Sequence, residues 1–315
     1  MFGKKLVHEM ITRSTENRHD RRRFLTSAGA LGLGVVGAKF LMASPASAAE
    51  AGRSATAAAA ESGPSDGAIL NFALNLEYLE GEFYSYAVHG HGLADNLTHG
   101  KGTRGDVTGG RQVPFKTPRI RQYAQEIAGD ELGHVGFLRT ALGSTAVSRP
   151  AIDIRNSFTA AARAAKLVGP HDTFDPYANE NNFLLAAFLF EDVGVTAFKG
   201  AAPLITNKTY LEAAGGMLAA EAYHASMIRT SLFERDMAPL VEKLSNARNS
   251  LDGAVDDDQG IVRNGTANIV PTDANGVVFS RSPGEILNIV YLTPDKADKG
   301  GFYPAGVNGE LRTSA

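Results

Sequence analysis

The chain has 315 residues and not one cysteine. That absence excludes disulfides, thiolate metal ligands and a cysteine nucleophile, so any bound metal must be held by histidine and carboxylate side chains. Aromatic residues are only 8% and charged residues 21%, against 43% hydrophobic. This is ordinary globular composition and excludes disordered, collagen-like and coiled-coil fibre classes. Basic charge is scarce beyond the start. Residues 1–48 carry a net +5 and the remaining 267 a net −8. A body that acidic lacks the electrostatic footprint of a nucleic-acid binder, and no nucleic-acid partner is expected. The phosphate loop, the nucleophile elbow and the dinucleotide fingerprint are also missing.

What is there begins with an export signal. Asp20-Arg21-Arg22-Arg23-Phe24-Leu25-Thr26 precedes an apolar, Gly-rich stretch from Ala28 to Ala43, and Pro45-Ala46-Ser47-Ala48-Ala49 closes it. A charged head, an apolar middle and a small-x-small end make a secretory signal. The arginines ahead of Phe-Leu resemble a twin-arginine (Tat) signal, which implies the Tat export machinery as a partner and a periplasmic or extracellular location. Cleavage is expected after Ala48, with Ala49 as the alternative. An uncleaved anchor is disfavoured because the glycines and Lys39 dilute the apolar run. The domain reading is a signal over 1–48, a flexible Ala/Ser/Gly linker over 49–66, a helical bundle over 67–235 and a C-terminal extension over 236–315 packed on it.

Periodicity predicts four main helices. The first spans about Ile69 to Val88, with Ile69, Phe72, Leu76, Leu79 and Phe83 on one stripe. A long polar loop follows. The second helix has Thr117 as N-cap, Pro118 at its first position and Gly143 at its end. Its stripe is Ile120, Ala124, Ile127, Glu131, His134, Leu138 and Ala141. A shorter helix, about Ile154 to Leu167, is expected outside the bundle. The third, about Asn182 to Lys199, is apolar all round from Phe183 to Phe190, which marks a buried core helix too short to span a membrane. The fourth covers about Lys208 to Arg235, with stripe Tyr210, Ala214, Met217, Glu221, His224 and Ile228. The extension holds helical pieces at Leu240–Leu251 and Pro283–Tyr291.

The seams of the second and fourth helices pass through Glu and His. Ionised Glu is almost never fully buried without a partner, so two such insertions need a common compensator. They also repeat. Glu131-x-x-His134-x-x-x-x-Arg139-Thr140-x-Leu142 shifted by 90 positions is Glu221-x-x-His224-x-x-x-x-Arg229-Thr230-x-Leu232. A shift of 114 carries Glu77 onto Glu191, Tyr84 onto Phe198 and Ala87 onto Ala201. Residues three apart share a helix face, about 60° round and roughly 4.5 Å along the axis, so each Glu-x-x-His can converge on one ion. Two such helices plus one Glu from each of the others supply four carboxylates and two imidazoles, the inward-facing set of ferritin-like dimetal carboxylate bundles. Two divalent ions balance four carboxylates, and the donor set suits iron or manganese. The candidate metal ligands are therefore Glu77, Glu131, His134, Glu191, Glu221 and His224. Glu80 is an alternative or extra ligand; it lies closer to the apolar stripe, but the repeat places Gly194 opposite it.

The segments Leu74–Glu80, Gly129–His134, Phe190–Phe198 and Glu221–Ala225 resemble the ferritin-like domain family, in particular its desiccation-associated, stress-response branch. The resemblance covers about residues 67–235. It implies an all-α fold, an antiparallel four-helix bundle with a long crossover, here with a loop-rich C-terminal extension. Activities across that family are diverse: ferroxidases, peroxidases, oxygenases, manganese catalases and stress proteins. The expected function is redox chemistry on dioxygen, peroxide or Fe(II) by two bound iron or manganese ions. The alternative is a non-catalytic, desiccation-protective protein with a stabilising metal site. A homo-oligomer is compatible with either, and no stable membrane span is expected after signal cleavage.

Further residues carry secondary expectations. Tyr84, one helical repeat after Glu77, is a candidate redox phenol or hydrogen-bond donor to a ligand carboxylate; Phe198 removes its symmetric counterpart. Arg139 and Arg229 are read as helix-end charges or as partners of carboxylates. His89, His91 and His99 are read as loop histidines, and Asp256-Asp257-Asp258 as a solvated turn without the EF-hand pattern. Gly81 and Gly133 interrupt helices where Ala is favoured by about 1 kcal/mol, as if to admit a close helix neighbour.

Overall fold

The computed structural model describes residues 63–315. The expected signal, and the expected linker as far as residue 62, lie outside the described residues. Only the linker's last residue, Asp66, belongs to the first helix, α1, Asp66–His89. Ser65 caps it, its Oγ accepting from the Ala68 amide at 3.1 Å, so α1 starts three residues earlier than periodicity alone indicates. Gly90, with φ 78°, supplies the left-handed residue that ends it.

Three more long helices complete the bundle: α2, Pro118–Leu142; α4, Glu180–Ala201; and α5, Lys208–Phe233. The shorter α3, Asn156–Ala164, lies in the connection between α2 and α4. Hydrogen bonds at the ends fix the directions. Asn71 near the start of α1 donates to Thr145 O beyond the end of α2 at 3.2 Å, and Gln112 ahead of α2 donates to Val88 O at 2.8 Å. Helices α1 and α2 are therefore antiparallel. Glu180 at the start of α4 accepts from Arg235 beyond the end of α5, so that pair is antiparallel too. Glu180 also accepts from the Lys116 and Thr117 amides at 3.0 and 2.9 Å, which puts the starts of α2 and α4 side by side. Parallel α2 and α4 require the chain to return the length of the bundle between them. That return, 143–179, is the long crossover. Thr117 sits at the N-cap as expected, but its hydroxyl donates to Glu180 at 2.6 Å and makes no cap bond.

The loop after α1 pairs with the crossover. Strands β1, Val107–Thr108, and β2, Ile152–Asp153, are parallel, and a buried Arg149–Glu82 ion pair anchors them to α1. Phe83, Phe158, Tyr177, Phe183, Phe190 and Phe302 pack as one aromatic cluster with ring centroids 5.0–5.7 Å apart, joining α1, α3, α4 and the extension.

The extension contains α6, Ala238–Asn249, the antiparallel pair β3, Val262–Arg263, and β4, Thr266–Ala267, and then α7, Pro283–Tyr291. It is tied to the bundle by a buried alternating network. Asp192 accepts from Arg229 at 2.7 Å and Arg248 at 2.9 Å; Asp258 accepts from Arg248 at 2.5 Å and Arg281 at 2.6 Å; Arg281 also donates to Asp252 at 2.5 Å. Asp258 is thus buried, against the expected solvated turn, because two guanidinium groups meet it there. Among the described residues no helix is long and apolar enough to cross a membrane.

Candidate metal centre

Each bundle helix brings its candidates to one place: α1 Glu77, α2 Glu131 and His134, α4 Glu191, α5 Glu221 and His224. All four carboxylates are fully buried, His224 is 2% exposed, and the His134 side chain 13%. His134 Nδ1 lies 3.2 Å from Glu77, 3.5 Å from Glu131 and 3.6 Å from Glu221. His224 Nδ1 lies 3.2 Å from Glu131 and 3.4 Å from Glu191. The six side chains form two donor groups, Glu77/Glu131/His134/Glu221 and Glu131/Glu191/Glu221/His224, within each of which one donor atom per residue lies within 4.8 Å of the others. Glu131 and Glu221 belong to both. The imidazole centroids stand 6.4 Å apart.

These donors are otherwise unemployed. Both oxygens of Glu77, Glu131 and Glu221, Oε2 of Glu191 and Nδ1 of both histidines are buried without a hydrogen-bond partner. Each such group costs about 1–3 kcal/mol, more when charged. A folded chain tolerates so many only where something outside the chain satisfies them together. Carboxylate oxygens with imidazole nitrogen are the donors divalent metals take, so the residues fit a metal.

Without metal the cluster is electrostatically strained. Burial, opposed by His134, pushes Glu77 up to about 8. Burial and the neighbouring carboxylates raise Glu80 and Glu221 well above the usual range, and burial raises Glu191 despite His224. For Glu131 burial is outweighed by the two imidazoles, which hold it below the usual range. Burial disfavours the charged form of both histidines, but Glu77 and Glu131 lift His134 to about 12, and Glu191 and Glu131 hold His224 well above the usual imidazole range. Without metal the raised acids keep their protons, and divalent cations would displace those protons and take their place as the compensating charge.

Three residues support the cluster. The Tyr84 hydroxyl donates to Glu191 Oε1, across the bundle and not to Glu77 on its own helix. Asp130 Oδ2 lies 3.0 Å from His224 Nε2. This contact turns His224 so that Nδ1 faces the other donors, the usual way an outer carboxylate orients a metal-binding imidazole. Gly194 is the third: any Cβ there would collide with Glu221 Oε2 and come within 3.5 Å of Glu80 Oε1. Sequence reading missed Asp130, whose only signal is its place directly before Glu131, and saw Gly194 merely as an obstacle to ligation by Glu80.

Glu80 is buried beside the cluster but outside both donor groups. Arg229 is fully buried and pairs with Asp192, next to Glu191 in the chain, so it is no helix-end solvating charge. Arg139 donates to the Tyr78 hydroxyl at 2.5 Å and to His99 O. His89 and His91 stack at 5.6 Å, outside any donor group among the described residues. Gly81 packs against Leu93 and Val135, whereas Gly133 faces open space and admits no close helix neighbour.

The ferritin-like domain family matches residues 65–234, more than half of the chain and all four bundle helices. The chain belongs to the ferritin-like domain family. It is similar to the ferritin-like catalase Nec2 of Nesocodon mauritianus, with 29% identity over 268 residues, 77% of this chain and 83% of that protein. It is also similar to the desiccation-related protein PCC13-62 of Craterostigma plantagineum, with 30% identity over 267 residues, 78% of this chain and 84% of that one. Both alignments are longer than the bundle, so part of each falls outside it. No solved structure matches.

Proposed function

We propose that the chain is an exported dimetal-carboxylate oxidoreductase acting on peroxide or dioxygen. The observation that carries this is the pair of buried donor groups sharing Glu131 and Glu221. Bound iron or manganese would supply a two-electron store, which disproportionation of two hydrogen peroxide molecules to one dioxygen and two waters requires. Glu77 and His134 would hold one ion, Glu191 and His224 the other, and Glu131 and Glu221 both. Tyr84 fixes the orientation of Glu191. The closed bundle around the cluster keeps bulk water out, where hard donors and charge act most strongly. The name of the Nec2 relative supports the peroxide branch. A Tat-type signal supports export, since that route carries proteins already folded and would let metal be loaded first.

The test is turnover by the fully metal-loaded chain: dioxygen evolved from hydrogen peroxide, or dioxygen consumed with Fe(II) as reductant. Both at background with two ions bound would transfer support to the second reading, a protective protein with metal as a staple, which the name of the desiccation-related relative favours. In that case metal would still raise thermal stability strongly, by coupling ligation to folding.

A further inference from the structure

Glu80 is a buried acid that the cluster does not use. It is 5% exposed and makes no hydrogen bond or ion pair with any described residue. It lines a cavity of about 20 Å³, room for a guest of one or two heavy atoms. The other walls are apolar: Leu79 of α1, Phe190 and Gly194 of α4, and a roof from the extension, Val290 of α7 and Phe302. The roof is fixed. Ser282 and Glu285 form a reciprocal capping box at the start of α7, and the Phe302 amide donates to Val290 O at 2.9 Å. Gly194 brings cavity and cluster together: its missing side chain lets Glu221 Oε2 stand where a Cβ would be, and Glu80 Oε1 lies within 3.5 Å of the same point.

We infer that this cavity takes a small uncharged molecule of dioxygen or peroxide size to the cluster, with Glu80 as its one polar contact. The size admits nothing larger. The apolar walls and nearby carboxylates repel anions, and the roof excludes longer organic substrates. Glu80 then has the partner it lacks, as a hydrogen-bonding group to the guest. The identity of the guest rests on the redox reading above; the existence of the pocket does not.

Two measurements test it. Crystals of the full chain pressurised with dioxygen, a guest of the size the cavity admits, are expected to show it beside Glu80 and to lose it in Val290→Phe. No dioxygen there in the parent overturns the inference. In the metal-loaded chain, Val290→Phe should lower kcat/KM for peroxide about tenfold or more with metal content unchanged. Glu80→Gln should raise KM more than it lowers kcat, a split that a merely structural role would not produce. Parent-like kinetics in both variants overturn the inference while leaving the redox reading intact. If the fully loaded parent is inert, the redox reading falls and the pressurised crystals alone decide the pocket. Should Val290→Phe not fold, Val290→Met fills part of the same space and is expected to give the weaker form of both effects.

Discussion

Asp130 Oδ2 stands 3.0 Å from His224 Nε2, and the internal repeat breaks at this point, because position 220, the counterpart of Asp130, is alanine. His134 therefore lacks the carboxylate that orients His224, and the two donor groups are not equivalent although their ligand types are.

Asp130→Ala should selectively weaken the position served by His224 and Glu191. Outer-carboxylate losses of this kind cost about 10–100-fold in metal affinity. Equilibration against a metal buffer, followed by elemental analysis, should show one ion lost over a range where the parent keeps two. Equal loss of both ions would contradict the asymmetry.

Glu221 sits in both donor groups, so Glu221→Gln should abolish most of the metal-dependent rise in Tm. In metal-free protein the same change removes a buried acid whose ionisation is strongly disfavoured, and should leave Tm unchanged or higher by a few degrees. Calorimetry with and without metal reads both effects. A metal response equal to the parent's would remove Glu221 from the site.

Gly194→Ala puts a methyl group where Glu221 Oε2 lies. Overpacking of this kind costs about 1–3 kcal/mol. Here it should also push a shared donor aside, so metal content falls with stability. A variant with full metal content and parent Tm would show that Glu221 has room to move.

The pH dependence of the metal-free protein follows from the sign of the shifts. Glu77 rises from the ordinary carboxylate range to about 8, so its contribution is fully present below about 4.5 and is lost as pH rises through 8. His134, raised to about 12, contributes fully below about 6.5 and loses that contribution as pH rises towards 12. Glu131 acts oppositely, with a contribution present above about 4.5 and lost as pH falls below that. Between pH 6 and 9 the first two dominate, so metal-free Tm should fall. Metal competes with these protons, so the Tm gain on adding it should grow over the same range. A gain that shrinks with pH would mean that the ligands do not release protons on binding.

Much of this was legible from local signals. Helix stripes are set by a period of 3.6 residues, and the ends of α2 by Pro118 and Gly143, which act through neighbours in the chain. The Glu-x-x-His pair was readable because it recurs and because acids on an apolar seam are costly. The illegible parts depend on distant partners. Asp258 looks solvated until Arg248 and Arg281 arrive from 10 and 23 residues away. The pairing of β1 with β2 joins two-residue strands too short to carry a pattern. Glu77 and Glu80 sit three apart on one face, and only packing against α2 and α4 separates the residue inside a donor group from the one lining a cavity.

The central claim is that the interior acids are neutralised by a pair of divalent ions. Anomalous diffraction at the iron and manganese edges, on crystals of protein purified from its native host, tests it most directly. The account predicts two peaks, one beside Nδ1 of His134 and one beside Nδ1 of His224, with Glu131 and Glu221 touching both. A fully occupied crystal with a single peak, or with none among these six side chains, would contradict it.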